Sequence, residues 1–265
     1  MSNEIERAAG AIERLYGSGA ISERSADALL QTGKAALEIS QGLGEISSAD
    51  ELLLATLLVD DSPSIGRFVS EVRHGHNNML EALRTVSTTA EIQVHTRAFN
   101  RGVLSAYRPL ARATELDTVN FSGSQLSNWT PLYVQSLLTL GTVIAKAQEE
   151  EDRGARVRTF TLIITDGEDN DSGSIQVEHV RAVVTDMLEF ADNHIVAGMG
   201  IGERRGVSFS QVFRSMGIPE RWIYTSGTSV KKLGEVFDEI TRDLQLAASS
   251  EVGFRQLRSG SSTKS

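Results

Sequence analysis

The chain has no cysteine among its 265 residues. Disulfides, zinc–thiolate sites and thiol catalysis are therefore excluded. Long apolar runs are also lacking. No segment approaches the ~20 residues of a membrane-spanning helix, and the most apolar stretch, Leu52 to Val59, is far too short. No long basic stripe offsets the formal net charge of -9, so neither nucleic acid nor a membrane is an expected partner. The opening MSNEIERAAG carries acids and no apolar core, unlike a signal peptide. The expected compartment is the cytoplasm. What is present is ordinary for a globular protein: 40% hydrophobic and 23% charged residues. The length suits one large domain with a small appendage.

Residues 1–48 read as a helical hairpin outside the main domain. Asn3 and Glu6 have capping-box spacing, and Ile5, Ala8, Ile12 and Leu15 follow the helical period. YGSGAIS breaks the helix. A second run places Ala28, Leu29, Ala36 and Leu37 inward, and QGLGEISSAD reads as a linker. Such a hairpin either packs on the main domain or docks separately. From 49 to 247, strand and helix signals alternate. Strands are expected near 52–59, 91–99, 103–110, 157–165, 194–200 and in RWIYT. Helices are expected over 65–86, with a weak point at HGHNN, and over 131–150, 177–192 and 209–215. A final helix is lined by Val230, Leu233, Phe237, Ile240 and Leu244. This alternation predicts an α/β fold with a doubly wound, mostly parallel six-stranded sheet. The close spacing across NRG predicts a hairpin, hence one antiparallel edge strand. Residues 248–265, ending in RSGSSTKS, are expected as a disordered tail.

In such a sheet, ligands bind beyond the carboxyl ends of the strands, where the winding reverses. With the order 3-2-1-4-5-6, the first and fourth strands meet there. Three oxygen-rich stretches fall at that end. Asp60, Asp61, Ser62 and Ser64 follow the first strand, Thr130 opens a helix in SNWTPLY, and Asp166 ends a strand in LIITDGEDND. Each has a plainer reading. The serines are good helix caps, Thr130-Pro131 a good cap and first-turn pair, and Asp166-Gly167 a good turn. Their conjunction is more specific. Two carboxylates and three hydroxyls suit a hard octahedral cation such as Mg²⁺.

A response-regulator receiver also ends its first strand in paired acids. It needs an acceptor aspartate on a later strand, where this chain has SAYRPLARA, and a late lysine, where it has GMGIGERRG. A Mg²⁺-dependent phosphohydrolase is the alternative from another class, with Asp61 and Glu168 as nominees for its base or nucleophile. No cation of the chain is clearly placed by the three loops to neutralise a phosphoryl group.

The pattern Asp60-Asp61-Ser62-Pro63-Ser64, then Thr130, then Asp166 resembles the metal-ion-dependent adhesion site of von Willebrand factor A-like (vWA) domains. The resemblance spans about 50–247 in order, spacing and strand context. It implies direct contact of Ser62, Ser64 and Thr130 with a Mg ion, or with Mn or Ca. Asp60 and Asp166 would lie nearby, mostly through water. It implies a non-enzymatic binding module whose ion takes a carboxylate from a protein partner, working beside an AAA+ ATPase or in a multi-protein assembly. Asn128 and Trp129 depart from the pattern, standing where small glycines are common.

Other features read more plainly. GMGIGERRG resembles a nucleotide loop but follows a late strand and lacks the acid about 20 residues on, so close backbone packing is the better account. His74 and His76 are two apart, do not share a helix face and are expected in solvent. EDND, residues 168–171, reads as a solvated loop on the rim of the site.

Overall fold

The structure, a computed structural model, describes residues 2–122, 130–202 and 206–260, with side chains from residue 10 onward. Six strands form one sheet: β1 (Glu51–Val59), β2 (Glu91–Ala98), β3 (Gly102–Pro109), β4 (Arg156–Thr165), β5 (His194–Gly200) and β6 (Ile223–Thr225). Their order is β3-β2-β1-β4-β5-β6, with β2 and β3 antiparallel and every other pair parallel. β1 and β4 are buried almost throughout because helices cover both faces, and so they read as continuous apolar runs. Val59 pairs with Ala98 on one side and Ile164 on the other, so the first, second and fourth strands end together. The first-loop and third-loop candidates emerge side by side from this edge.

Two helices, α4 (Val69–Arg84) and α5 (Leu132–Glu151), follow β1 and the second loop. A 3-10 turn over Pro63–Phe68 leads into α4, which runs unbroken through HGHNN. The remaining helices of the main unit are α6 (Val177–Glu189), α7 (Phe209–Ser215) and α8 (Val230–Ser249). α5 and α6 pack together on one side, and α4 packs on α8 on the other.

The amino-terminal segment differs from the expected hairpin. It forms three helices, α1 (Ser2–Gly17), α2 (Glu23–Gln31) and α3 (Ala35–Gly42), because Gly33 takes a positive φ between the last two. Ile12, Leu15, Leu29 and Ile39 belong to the same apolar core as the sheet. They close on α5 at Gly141, where a β-carbon would stand 2.9 Å from both Ile39 and Leu29. Fifteen of the twenty residues of α5 are buried, as in a helix covered on both sides. A polar latch adds to this. Fully buried Arg97 on β2 donates from Nη1 to Glu38 Oε2 (2.9 Å) and Gln135 Oε1 (3.2 Å), and from Nη2 to the Glu38 carbonyl (3.2 Å).

The expected disordered tail is also corrected. Residues Glu251–Ser259 form α9. Ser250 caps its start, Gly260 ends it at φ 73°, and Phe254 and Leu257 are buried one turn apart. Serine and glycine density at the end of the chain masked that apolar pair. Residues 261–265 lie outside the described residues.

Candidate metal centre

Asp60 follows β1 directly, and its N–H donates to the Ile164 carbonyl at 2.9 Å, tying the first loop to β4. The carboxylate is fully buried. Its Oδ1 accepts from the Ser62 N–H (2.8 Å), and its Oδ2 from the Thr165 hydroxyl (2.8 Å) and the Asp166 N–H (3.4 Å). Asp60 thus fixes the paths of both loops. The Ser62 and Ser64 hydroxyls are 2.9 Å apart, and Ser64 donates to Asp166 Oδ1 at 2.8 Å. Asp60, Ser62, Ser64 and Asp166 therefore form one connected set, with Ser64 open to solvent. Neither serine is spent as the sequence allowed. Ser62 occupies the cap position of the 3-10 turn but makes no capping bond with its side chain.

Thr130 comes to this end by a different route. It is buried, its N–H donates to Asn170 Oδ1 (2.6 Å), and its carbonyl accepts from the Asn170 N–H (3.1 Å). The cap position of α5 falls on Pro131, not Thr130. The loop after β4 supplies the caps instead. Asp169 Oδ1 accepts from the Tyr133 N–H (3.0 Å), and Ser172 Oγ accepts from the Val134 N–H (3.0 Å). These satisfy helix-end donors that have no partner within the helix. EDND is thus a clamp between the second and third loops as well as a rim. Asn128 and Trp129 lie outside the described residues.

Adjacent ligand oxygens around an octahedral Mg²⁺, bound at ~2.0–2.1 Å, stand about 2.9 Å apart. The Ser62–Ser64 and Ser64–Asp166 separations, set here by O–H···O hydrogen bonds, are compatible with that edge. Among the described residues, no group of three or more His, Cys, Asp or Glu side chains is placed to hold a metal. A cation here would rest on hydroxyls with two acids, and the donor set fits a hard ion. All these features stand where the sheet reverses its winding, on a sheet of order 3-2-1-4-5-6 with one antiparallel edge.

The topology is the doubly wound, mostly parallel α/β sheet with one antiparallel edge that the sequence predicts.

No family model matches the chain, and no curated protein does. Solved structures similar to it include the ArnB paralog VWA2 from Sulfolobus acidocaldarius, at 12% identity and a TM-score of 0.46, covering 77% of this chain and 46% of that one. Proximal thread matrix protein 1 from the mussel byssus is similar at 15% identity and a TM-score of 0.44, covering 77% and 48%. Manganese-loaded Plasmodium vivax TRAP protein is similar at 15% identity and a TM-score of 0.39, covering 73% and 74%. The chain spans about half the length of the mussel and Sulfolobus structures.

Within this fold, Asp61 is turned away from the serines. Its Oδ1 accepts from the Asn100 N–H (3.0 Å), and its Oδ2 faces Arg101 Nε at 3.3 Å. Burial pushes its carboxyl above the usual range, with neighbouring Asp60 adding to the rise. Arg101 is a basic residue at the loops that sequence reasoning did not find. It also donates to the Val119 carbonyl (3.2 Å) and the Ser122 hydroxyl (3.0 Å). Thr165, Asn170 and Asp169 were missed as well. The density of Asp and Asn just past Asp166 was the available signal, since such side chains readily cap nearby backbone.

His74 is exposed as expected, but His76 is not. It is fully buried against Thr96 and Asn77, and burial depresses its pKa to about 4. The packing account of GMGIG holds. A β-carbon on Gly198 would stand 2.4 Å from Phe213, and one on Gly200 2.2 Å from Phe209. Residues 203–205 lie outside the described residues.

Proposed function

We propose that the chain is a metal-dependent protein-binding module of the vWA type. Ser62, Ser64 and Thr130 would hold Mg²⁺, or Mn²⁺ or Ca²⁺, with Asp60 and Asp166 close by. The bound ion supplies a Lewis-acidic position for a carboxylate from a partner protein, as expected of an adaptor working beside an AAA+ ATPase or within a multi-protein assembly. The observation that carries this reading is the hydrogen-bonded set of Ser62, Ser64 and Asp166 oxygens, in which Ser62 makes no helix-capping bond with its side chain. Asp60 keeps the first loop against β4, and Asn170 and Asp169 hold Thr130 and the start of α5 against the third loop. No helix among the described residues is long and apolar enough to cross a membrane.

The test is Mn²⁺ binding, read by electron paramagnetic resonance and calorimetry, in the wild type and in a Ser62→Ala, Ser64→Ala double variant. Binding in the wild type, lost in a double variant that stays folded and tightened by an acidic peptide, is the expected result. Equal binding in both proteins overturns the site. Metal-dependent phosphate release from a generic phosphoester, abolished by Asp60→Ala, would make the chain an enzyme instead.

A further inference from the structure

A second cleft lies at the opposite end of the sheet, where β1 and β4 begin. It encloses about 380 Å³, at the small end of ligand-pocket sizes. Arg158 lines it and is 6% exposed, yet Nη1 and Nη2 are both buried without a hydrogen-bond partner. A guanidinium left so is costly unless an anion meets it. The nearby carboxylates act on Arg158 only through their charge, since Glu51 is bonded to Arg156 and Glu251 to Arg255. Asn193 lines the same cleft and presents a buried Oδ1 that also lacks a partner. Its orientation is set by Nδ2, which donates to Glu151 Oε1 at 2.7 Å.

Arg158 and Asn193 are strand neighbours. Thr159 pairs with His194 in the β4–β5 register, and the Thr159 N–H donates to the Asn193 carbonyl at 2.8 Å. Adjacent strands are ~4.8 Å apart, so the cation and the acceptor serve one small molecule or chain end. Val157 and Phe254 supply an apolar wall. A guanidinium fork matches a planar carboxylate through two parallel bonds. The acidic residues around the mouth disfavour a doubly charged phosphate over a singly charged carboxylate.

We propose that this cleft binds an α-amino-acid carboxylate, with Arg158 on the carboxylate, Asn193 Oδ1 on the adjacent N–H, and an aliphatic side chain against Val157 and Phe254. Free amino acids and peptide carboxyl termini share this chemistry. The cleft does not depend on the proposed metal centre, since eight residue steps of ~3.3 Å along and just past β4 separate Arg158 from Asp166.

Calorimetry on the full chain tests it, with a short peptide ending in leucine, its carboxamide, free leucine and inorganic phosphate as probes. The peptide acid or free leucine should bind saturably, and whichever binds tighter names the source. The carboxamide should bind poorly, and Arg158→Leu should weaken the acid by roughly 10-fold or more, as for lost charged hydrogen bonds. Arg158→Leu should melt no lower than wild type without ligand, because it removes a buried cation whose Nη1 and Nη2 make no hydrogen bond. Absence of saturable binding, equal binding of acid and amide, preference for phosphate, or a lowered melting temperature in Arg158→Leu overturns the proposal.

Discussion

Acid should weaken this protein well above the pH at which carboxylates titrate, because three histidines are buried in neutral form. His76 is held at about 4, His95 at about 3 and His194 at about 3, each by burial foremost, against 6.5 for a free imidazole. His95 is further depressed by Arg97, and His194 by Arg258. The unfolded chain therefore takes up protons first as pH falls. The stability these groups confer is complete above about 6.5 and is lost progressively towards the folded-state values. At about pH 5, each histidine costs about 2 kcal/mol by this linkage, or about 6 kcal/mol for three. That rivals the whole stability of a typical domain, ~5–15 kcal/mol. Asp61 and Glu151 act in the opposite sense, since their raised pKa values favour the folded state as they protonate, but these two carboxylates do not match three deeply buried imidazoles. Urea unfolding between neutral pH and about pH 5 measures the loss, expected as a steep fall in the midpoint with little change in slope. A His194→Gln variant, which keeps a partner for Thr159, should lose about a third of the pH dependence. Stability that changes by less than ~1 kcal/mol over this range, or resonances of His76, His95 and His194 titrating near 6.5 in the folded protein, would refute the reasoning.

Three further outcomes are expected. Asp169→Ala removes a cap from α5 and should cost about 1 kcal/mol in unfolding experiments, while weakening Mn²⁺ binding through misplacement of Thr130. Deleting residues 1–46 removes Glu38 from Arg97 and bares the apolar face of α5 that Leu29 and Ile39 cover, so the shortened chain should lose its cooperative melt. Gly75→Ala drives a β-carbon to within 2.4 Å of the Phe237 ring where α4 crosses α8; overpacking of ~1–3 kcal/mol should exceed the helix-propensity gain of ~1 kcal/mol and lower the melting temperature.

The sheet was legible because its strands are buried on both faces and so appear as unbroken apolar runs between helical periods. Val59-Asp60 and Thr165-Asp166 mark where those runs end, and the parallel pairing of β1 with β4 brings the ends together. What the sequence hid is long-range and polar. Thr130-Pro131 looks like a helix cap in isolation, yet Asp169 and Ser172 reach α5 from 36 and 38 residues away. His76 looks solvated beside His74, but α4 turns it inward beneath Thr96. The amino-terminal helices carry a period that announces helix without saying what covers it. Only the near-complete burial of α5 shows that they close the same core. A helical period reports one face of one element, whereas a cap, a buried imidazole or a shared core depends on two elements. That asymmetry also bears on the metal centre. Its serines follow β1 in plain view, but Asn170 and Asp169, which hold the threonine loop in place, come from a stretch that reads as solvated loop. If the centre works as proposed, variants of Asn170 should impair it while leaving every hydroxyl of the motif intact, an effect that the motif alone would never predict.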